Sequence, residues 1–154
     1  ALERLRRASV RPVSRRKQSA AVCAAATEAQ LAGARLRPDA GAGLERLDAL
    51  LRAGSDDERD LFPSVATVIA SRLCEQRGDL RRALAIMRRR SSWTSQLLST
   101  QLREEGRLAG LVGDTTGAIR AYRHFLALRG DPEPRLLPDA ERVRAELRRL
   151  GGGR

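Results

Sequence analysis

The chain says nearly the same thing twice: GDLRRALAIMR at 78–88 and GDTTGAIRAYR at 113–123. Gly78, Asp79 and Ala83 recur as Gly113, Asp114 and Ala118, at an offset of 35 residues. Upstream, Arg72-Leu73 returns as Arg107-Leu108. Downstream, Arg88 returns as Arg123, while Leu84 becomes Ile119 and Met87 becomes Tyr122, apolar for apolar. Self-similarity at a fixed spacing marks a repeat architecture, and helix–turn–helix repeats have a period of about 34 residues. The repeated residues suit that geometry. A glycine closes one helix in the left-handed conformation. The aspartate after it accepts a hydrogen bond from a backbone N–H at the start of the next helix. An alanine four residues on lets the second helix lie close against the first. Each copy reads as a helical hairpin.

The rest of the chain is read around these two hairpins. Its 154 residues are about one domain's worth, 42% of them apolar. Only Phe62, Trp93, Tyr122 and Phe125 are aromatic, so the core is Leu, Ala, Val and Ile. Leu, Ala and Arg are good helix formers, and no alternating run indicates a strand. The Ala-rich stretch 19–35 is a helix, broken by Pro38, with Asp39 capping the next. That next helix carries Leu44, Leu47, Leu50 and Leu51 on one face, and the acidic segment 54–60 is a loop. Phe62, Ala66, Ile69 and Leu73 form the stripe that leads into Gly78. After it, Ala83, Leu84 and Met87 face inward. Leu98, Leu102, Ala109 and Val112 repeat the pattern into Gly113, followed by Ala118, Ile119, Tyr122 and Leu126. A helix from about Pro138 carries Val143, Leu147 and Leu150. The expected fold is all-α: a right-handed α–α superhelix of three hairpins, about 19–52, 62–90 and 94–128, with a capping helix at about 138–150. Residues 1–18 are read as a basic linker and 151–154 as a disordered tail.

The net charge of +11 is uneven. Residues 1–18 hold seven basic groups and one acid, net +6, which leaves +5 for the remainder. Of the 30 basic residues only Lys17 is not arginine. That bias fits both a GC-rich bacterial coding sequence and guanidinium-specific recognition of phosphate or carboxylate. Cys23 and Cys74 sit in apolar stretches, as buried reduced cysteines of a reducing compartment do, and spacing alone leaves a disulfide between them open. No stretch is long and apolar enough to span a membrane, and the N-terminus lacks the apolar region of a signal peptide. A cytoplasmic setting is expected. The chain starts with Ala1 and reads as the tail of a longer protein.

With small residues at Ser71 and Gly106 in the first helices and Ala83 and Ala118 in the second, the hairpins resemble tetratricopeptide (TPR) repeats. Met87 and Tyr122 hold the large apolar place after the alanine, and Pro132 follows the last hairpin. No Trp opens the first helices, and Cys74 and Ala109 stand where an aromatic is usual. Residues 102–150 are similar to the C-terminal helical tails of multidomain bacterial regulators. Those carry a serine/threonine kinase or transcriptional-activator domain upstream. The resemblance implies a protein-interaction and regulatory role, with Gly78, Ala83, Met87, Gly106, Gly113, Ala118 and Tyr122 as the packing residues of the repeat.

Catalytic chemistry is hard to find. His124 is the only histidine, no CxxC occurs, and the only lysine lies outside any glycine loop. GLVGDTTG at 110–117 lacks a strand and a lysine, so it reads as a helix–helix turn and not as a phosphate loop. Glu104 and Glu105 read as a solvated helix face, and no cofactor or metal site is expected. Arg72 and Arg107 hold equivalent repeat positions, and Arg103 lies one turn before Arg107. If the first helices line a groove, these three form a cationic ladder for an acidic protein or peptide, because arginine grips carboxylates bidentately. The bland reading is that they pair with neighbouring acids. The alternative function is a basic helical nucleic-acid-binding domain. The N-terminal arm, however, has no aromatic for base stacking.

Overall fold

The structure, a computed structural model, describes residues 15–34, 40–53, 61–89, 97–130 and 132–151. Most of the basic arm, Pro38, Asp39, the acidic loop, Trp93 and the final GGR lie outside the described residues. The described residues form seven α-helices and one 3₁₀ turn, with no strand. The chain falls into two compact units, Ala1–Ser95 and Gln96–Arg154.

The first unit holds α1 (Arg15–Ala34), α2 (Ala40–Arg52), α3 (Leu61–Gln76) and α4 (Leu80–Arg88). Helix α1 begins inside the stretch expected to be linker. Arg15, Arg16, Lys17 and Gln18 are all good helix formers. Helix α3 is the central element and packs against α1, α2 and α4, while α1 also packs against α2. Such crowding selects small side chains. The α3 residues buried in this unit include Ser64, Ala66, Thr67, Ala70, Ser71 and Cys74, whereas Ile69 and Leu73 are only half-buried. The buried stripe is therefore turned from the one expected through Ile69 and Leu73 toward the small residues. In α1 the buried positions are Val22 and four alanines, and α2 meets α1 at Gly43. A Cβ on Gly43 would stand 3.3 Å from the Ala29 Cα, so the two backbones nearly touch.

The second unit holds α5 (Leu98–Leu111), α6 (Thr115–Leu128), a 3₁₀ turn (Pro134–Leu136) and α7 (Leu137–Arg149). Leu102 of α5, Tyr122 and Phe125 of α6, and Val143 and Leu147 of α7 form one buried cluster. Leu98, Ile119, Leu126 and Leu150 flank it. Helix α7 covers the apolar face of the last hairpin with Val143 and Leu147. Its own end is closed by Gly151 at φ 76°, so the cap takes in the first residue of the expected tail.

The repeated turn uses the same glycine and aspartate hydrogen bonds in both units. Gly78 has φ 79° and Gly113 has φ 82°. The Asp79 amide donates to the Cys74 carbonyl (2.9 Å) and the Gly78 amide to the Glu75 carbonyl (2.8 Å). At the equivalent positions the Asp114 amide donates to Ala109 (2.9 Å) and the Gly113 amide to Gly110 (3.3 Å). This is the Schellman arrangement, which satisfies the last carbonyls of a helix. Asp79 Oδ1 then accepts from the Arg82 amide (3.1 Å), and Asp114 Oδ1 from the Gly117 amide (2.9 Å). One glycine ends a helix and the next residue starts another.

Candidate functional site

In the second unit, α5 and α7 border a groove of about 780 Å³ with Tyr122 of α6 in its wall. The i, i+4 spacing of Arg103 and Arg107 puts both on the groove side of α5. Arg103 pairs with Asp139 at the start of α7 and stands 3.8 Å from Glu104. Arg107 donates from Nε to Glu104 Oε2 at 3.0 Å, with its Nη2 at 2.9 Å from the same oxygen. Across the groove, Arg149 donates from Nε and Nη2 to Glu146 Oε2 at 3.1 and 2.7 Å. The facing helices thus carry the same clasp, a glutamate and the arginine three residues on. Toward the other end the lining turns apolar at Leu111, which is 56% exposed, and at Leu150.

Of the three expected ladder arginines, Arg103 and Arg107 share this groove. Arg72 is exposed on α3, in the first unit. Glu104 and Glu105 are not a solvated face: both are buried. Glu105 follows Leu102 by three residues and precedes Leu108 by three, so it falls inside the apolar stripe of α5. Glu104 is partly covered by the arginines that bind it.

The expected packing residues lie where the hairpins close. Ala83 and Ala118 are fully buried, and Met87 and Tyr122 nearly so. The Ser71 hydroxyl donates to the Ala83 carbonyl at 3.0 Å. At the equivalent place in the second hairpin, Gly106 faces the flat of Tyr122, and a Cβ there would overlap the ring. Tyr122 is 4% exposed, and its phenol pKa is pushed up, chiefly by burial and then by the charge of Glu146. His124 is exposed on α6. Cys23 and Cys74 are free thiols; burial pushes the Cys74 thiol up to about 11.

One cluster escaped sequence reasoning. Asp48 of α2 is buried, yet it accepts from Arg82 Nη2 (2.9 Å) and Arg89 Nη2 (2.7 Å), with Arg52 Nη2 at 3.3 Å. Arg82 also grips Glu45 through both Nη atoms, at 2.5 and 2.8 Å. Burial raises the Asp48 pKa, but the hydrogen bonds from Arg82 and Arg89 outweigh it and leave the carboxyl below its ordinary value. For Glu45 the hydrogen bond from Arg82 dominates and lowers it. The signal was present in α2: Leu44, Leu47, Asp48 and Leu51 lie at i, i+3, i+4 and i+7. An acid inside an apolar stripe needs a cation from another helix.

Among the described residues no grouping of His, Cys, Asp and Glu could hold a metal ion, and no helix is long and apolar enough to cross a membrane. No protein-family model, curated protein or solved structure matches the chain.

Proposed function

We propose that this chain is a non-catalytic protein-interaction module of the helical-repeat kind, a short TPR-like superhelix. We read it as the C-terminal regulatory tail of a larger bacterial signalling or transcription-regulating protein. The observation that carries the reading is the pair of hairpins with matching glycine–aspartate turns, 35 residues apart. Repeats of this kind cannot bury their apolar faces alone, so they stack, and stacking leaves grooves between first helices. The groove between α5 and α7 has that character, with arginines along its walls and an apolar end at Leu111. It suits an extended segment of another protein.

The test is selection of random peptides against the full chain. Enriched peptides should bind in the second-unit groove. Leu111→Asp should then weaken them by about tenfold, the loss expected from exchanging an apolar contact for a buried unpaired charge. Arg148→Ala, on an exposed part of α7, should leave binding unchanged. Enriched peptides indifferent to Leu111 would defeat the assignment of the groove.

One observation favours the nucleic-acid alternative. Helix α6 contains no carboxylate and exposes Arg120, Arg123 and His124 at i, i+3 and i+4. Phosphate binding through such a face would fall steeply with salt. A band-shift titration of a DNA duplex at low and physiological salt decides it. Steep salt-dependent binding that Arg120→Ala and Arg123→Ala reduce would favour this second reading.

A further inference from the structure

Tyr122 is almost wholly buried, yet it lines the groove, and no hydrogen bond to its hydroxyl is found among the described residues. The hydroxyl is not among the buried polar atoms that lack a partner in the described residues, so it is the part of the side chain that reaches the groove surface. The charged groups that act on this one are Glu146, Arg107, Glu104 and Arg149, which are the two facing clasps. Glu104 with Arg107 on α5 and Glu146 with Arg149 on α7 line the groove together with Tyr122, one glutamate–arginine pair on each wall.

The charge of the lining limits what can sit there. Arg103, Arg107, Arg142 and Arg149 face Glu104, Asp139 and Glu146, which leaves one net positive charge. An occupant with one negative charge completes the balance. Glu146 engages Nε and Nη2 of Arg149, and a guanidinium has five N–H donors, so Arg149 has capacity for a second carboxylate. The phenol is protonated at neutral pH, and burial moves its titration further from that range, so it can donate. Leu111, one turn beyond Arg107 on the same helix, supplies an apolar contact beside the charged part.

We infer that the groove between α5 and α7 holds an extended peptide through one side-chain carboxylate, seated over the Tyr122 hydroxyl between Arg107 and Arg149, with a neighbouring apolar side chain on Leu111. This rests on the reading of the chain as a peptide-binding module and narrows it. One acidic side chain next to an apolar one is recognised, in the second unit, without a contribution from Arg72.

Tyr122 is the only tyrosine, so ¹³C-tyrosine labelling of the full chain gives a single ring signal that reports on the groove. Three short peptides are titrated. The first is capped at both ends, with one central glutamate flanked by leucines. The second is its glutamine counterpart. The third is the glutamine peptide with a free C-terminal carboxylate. The capped glutamate peptide should shift the Tyr122 signal and bind about tenfold more tightly than the glutamine peptide, the worth of a charge-assisted hydrogen bond. Arg149→Gln should remove most of that preference. Tyr122→Phe keeps the ring against Gly106 but removes the labelled tyrosine, so its binding is read by calorimetry: the glutamate peptide should bind more weakly than to the parent and the glutamine peptide equally well. Equal affinities for the two capped peptides, with the Tyr122 signal still moving, would overturn the carboxylate seat and leave the peptide groove standing. Preference for the free C-terminus would overturn the side-chain assignment. A Tyr122 signal that none of the peptides moves would overturn the seat and the peptide groove together.

Discussion

The hairpins α3–α4 and α5–α6 share a backbone and differ in how they fill it. Both turn on a left-handed glycine, both cap the second helix with aspartate, and both bury an alanine at the crossing. In the first, the small residue is Ser71 and the large one is Met87; in the second they are Gly106 and Tyr122. The Ser71 hydroxyl donates to the Ala83 carbonyl, and Met87, an unbranched and adaptable side chain, is buried in the same hairpin. Gly106 gives up a side chain so that a rigid ring can lie on the helix. The repeat fixes the turn and the crossing and leaves volume to be traded between two positions. The second choice also brings a hydroxyl to the groove wall, which the first does not.

The comparison breaks most sharply at Gly106. Gly106→Ala puts a methyl into the Tyr122 ring and should cost about 2–3 kcal/mol, toward the upper end for overpacking. Pairing Gly106→Ser with Tyr122→Met copies the first hairpin and should recover much of the loss. Urea denaturation of the two variants against the parent checks both statements. Should the double variant be as unstable as the single one, the two hairpins are not interchangeable at this pair.

Much of this was legible in the sequence. Gly78, Asp79, Gly113 and Asp114 announced the turns because left-handed φ and N-capping each restrict the residue types that fit. Ala83 and Ala118 announced the crossings for the same kind of reason. Hydrophobicity alone points to the wrong face of α3. In a helix packed on several sides, size decides, and Ala70 and Ser71 go in while Ile69 and Leu73 stay half out. Asp48, Glu104 and Glu105 are hard to place from sequence because acids ordinarily lie at the surface. Only the placement of Arg82 and Arg89 opposite Asp48 shows how a buried carboxylate is tolerated. Nor could spacing alone show that Arg103 meets Asp139, because that pairing depends on how α7 packs.

A second difference lies at the first turn of the second helices. Arg82 and Gly117 are repeat equivalents, and each gives its amide to the capping aspartate. Only Arg82 has a side chain to reach out with, and it ties α4 to α2 through Glu45 and Asp48. Asp48→Asn should therefore loosen the first hairpin and leave the second alone, with amide exchange in α4 accelerating and the Tyr122 ring signal unchanged. Removing one partner of a buried ion pair is strongly destabilising, but these arginines are partly exposed and screened, so about 1–2 kcal/mol is expected. The sign with pH follows from the lowered pKa of Asp48. Its contribution is complete above the ordinary aspartate value of about 4 and is lost as pH falls through the lower folded value. The gap between parent and Asp48→Asn should shrink on acidification below about pH 4. A gap that widens instead would mean that Asp48 is not held by its arginines.

The smallest effects test the feature on which the comparison rests. A Cβ at Gly78 or Gly113 would meet nothing within 4 Å, so substitution there carries only the conformational cost of a positive φ. Gly78→Ala and Gly113→Ala should each cost about 1 kcal/mol, and by similar amounts. Asparagine, which tolerates this region better, should cost less than alanine at both positions. At Gly106 the order reverses, because there the obstacle is steric and asparagine is larger than alanine. Thermal melts of the six single variants thus separate two uses of glycine in one repeat. Equal, asparagine-relieved losses at Gly78 and Gly113 would sharpen the equivalence of the turns. A Gly113→Ala variant that melts like the parent, beside a weakened Gly78→Ala, would mean that the second turn tolerates a rearrangement the first does not, and the two hairpins would share a sequence without sharing an energetic role.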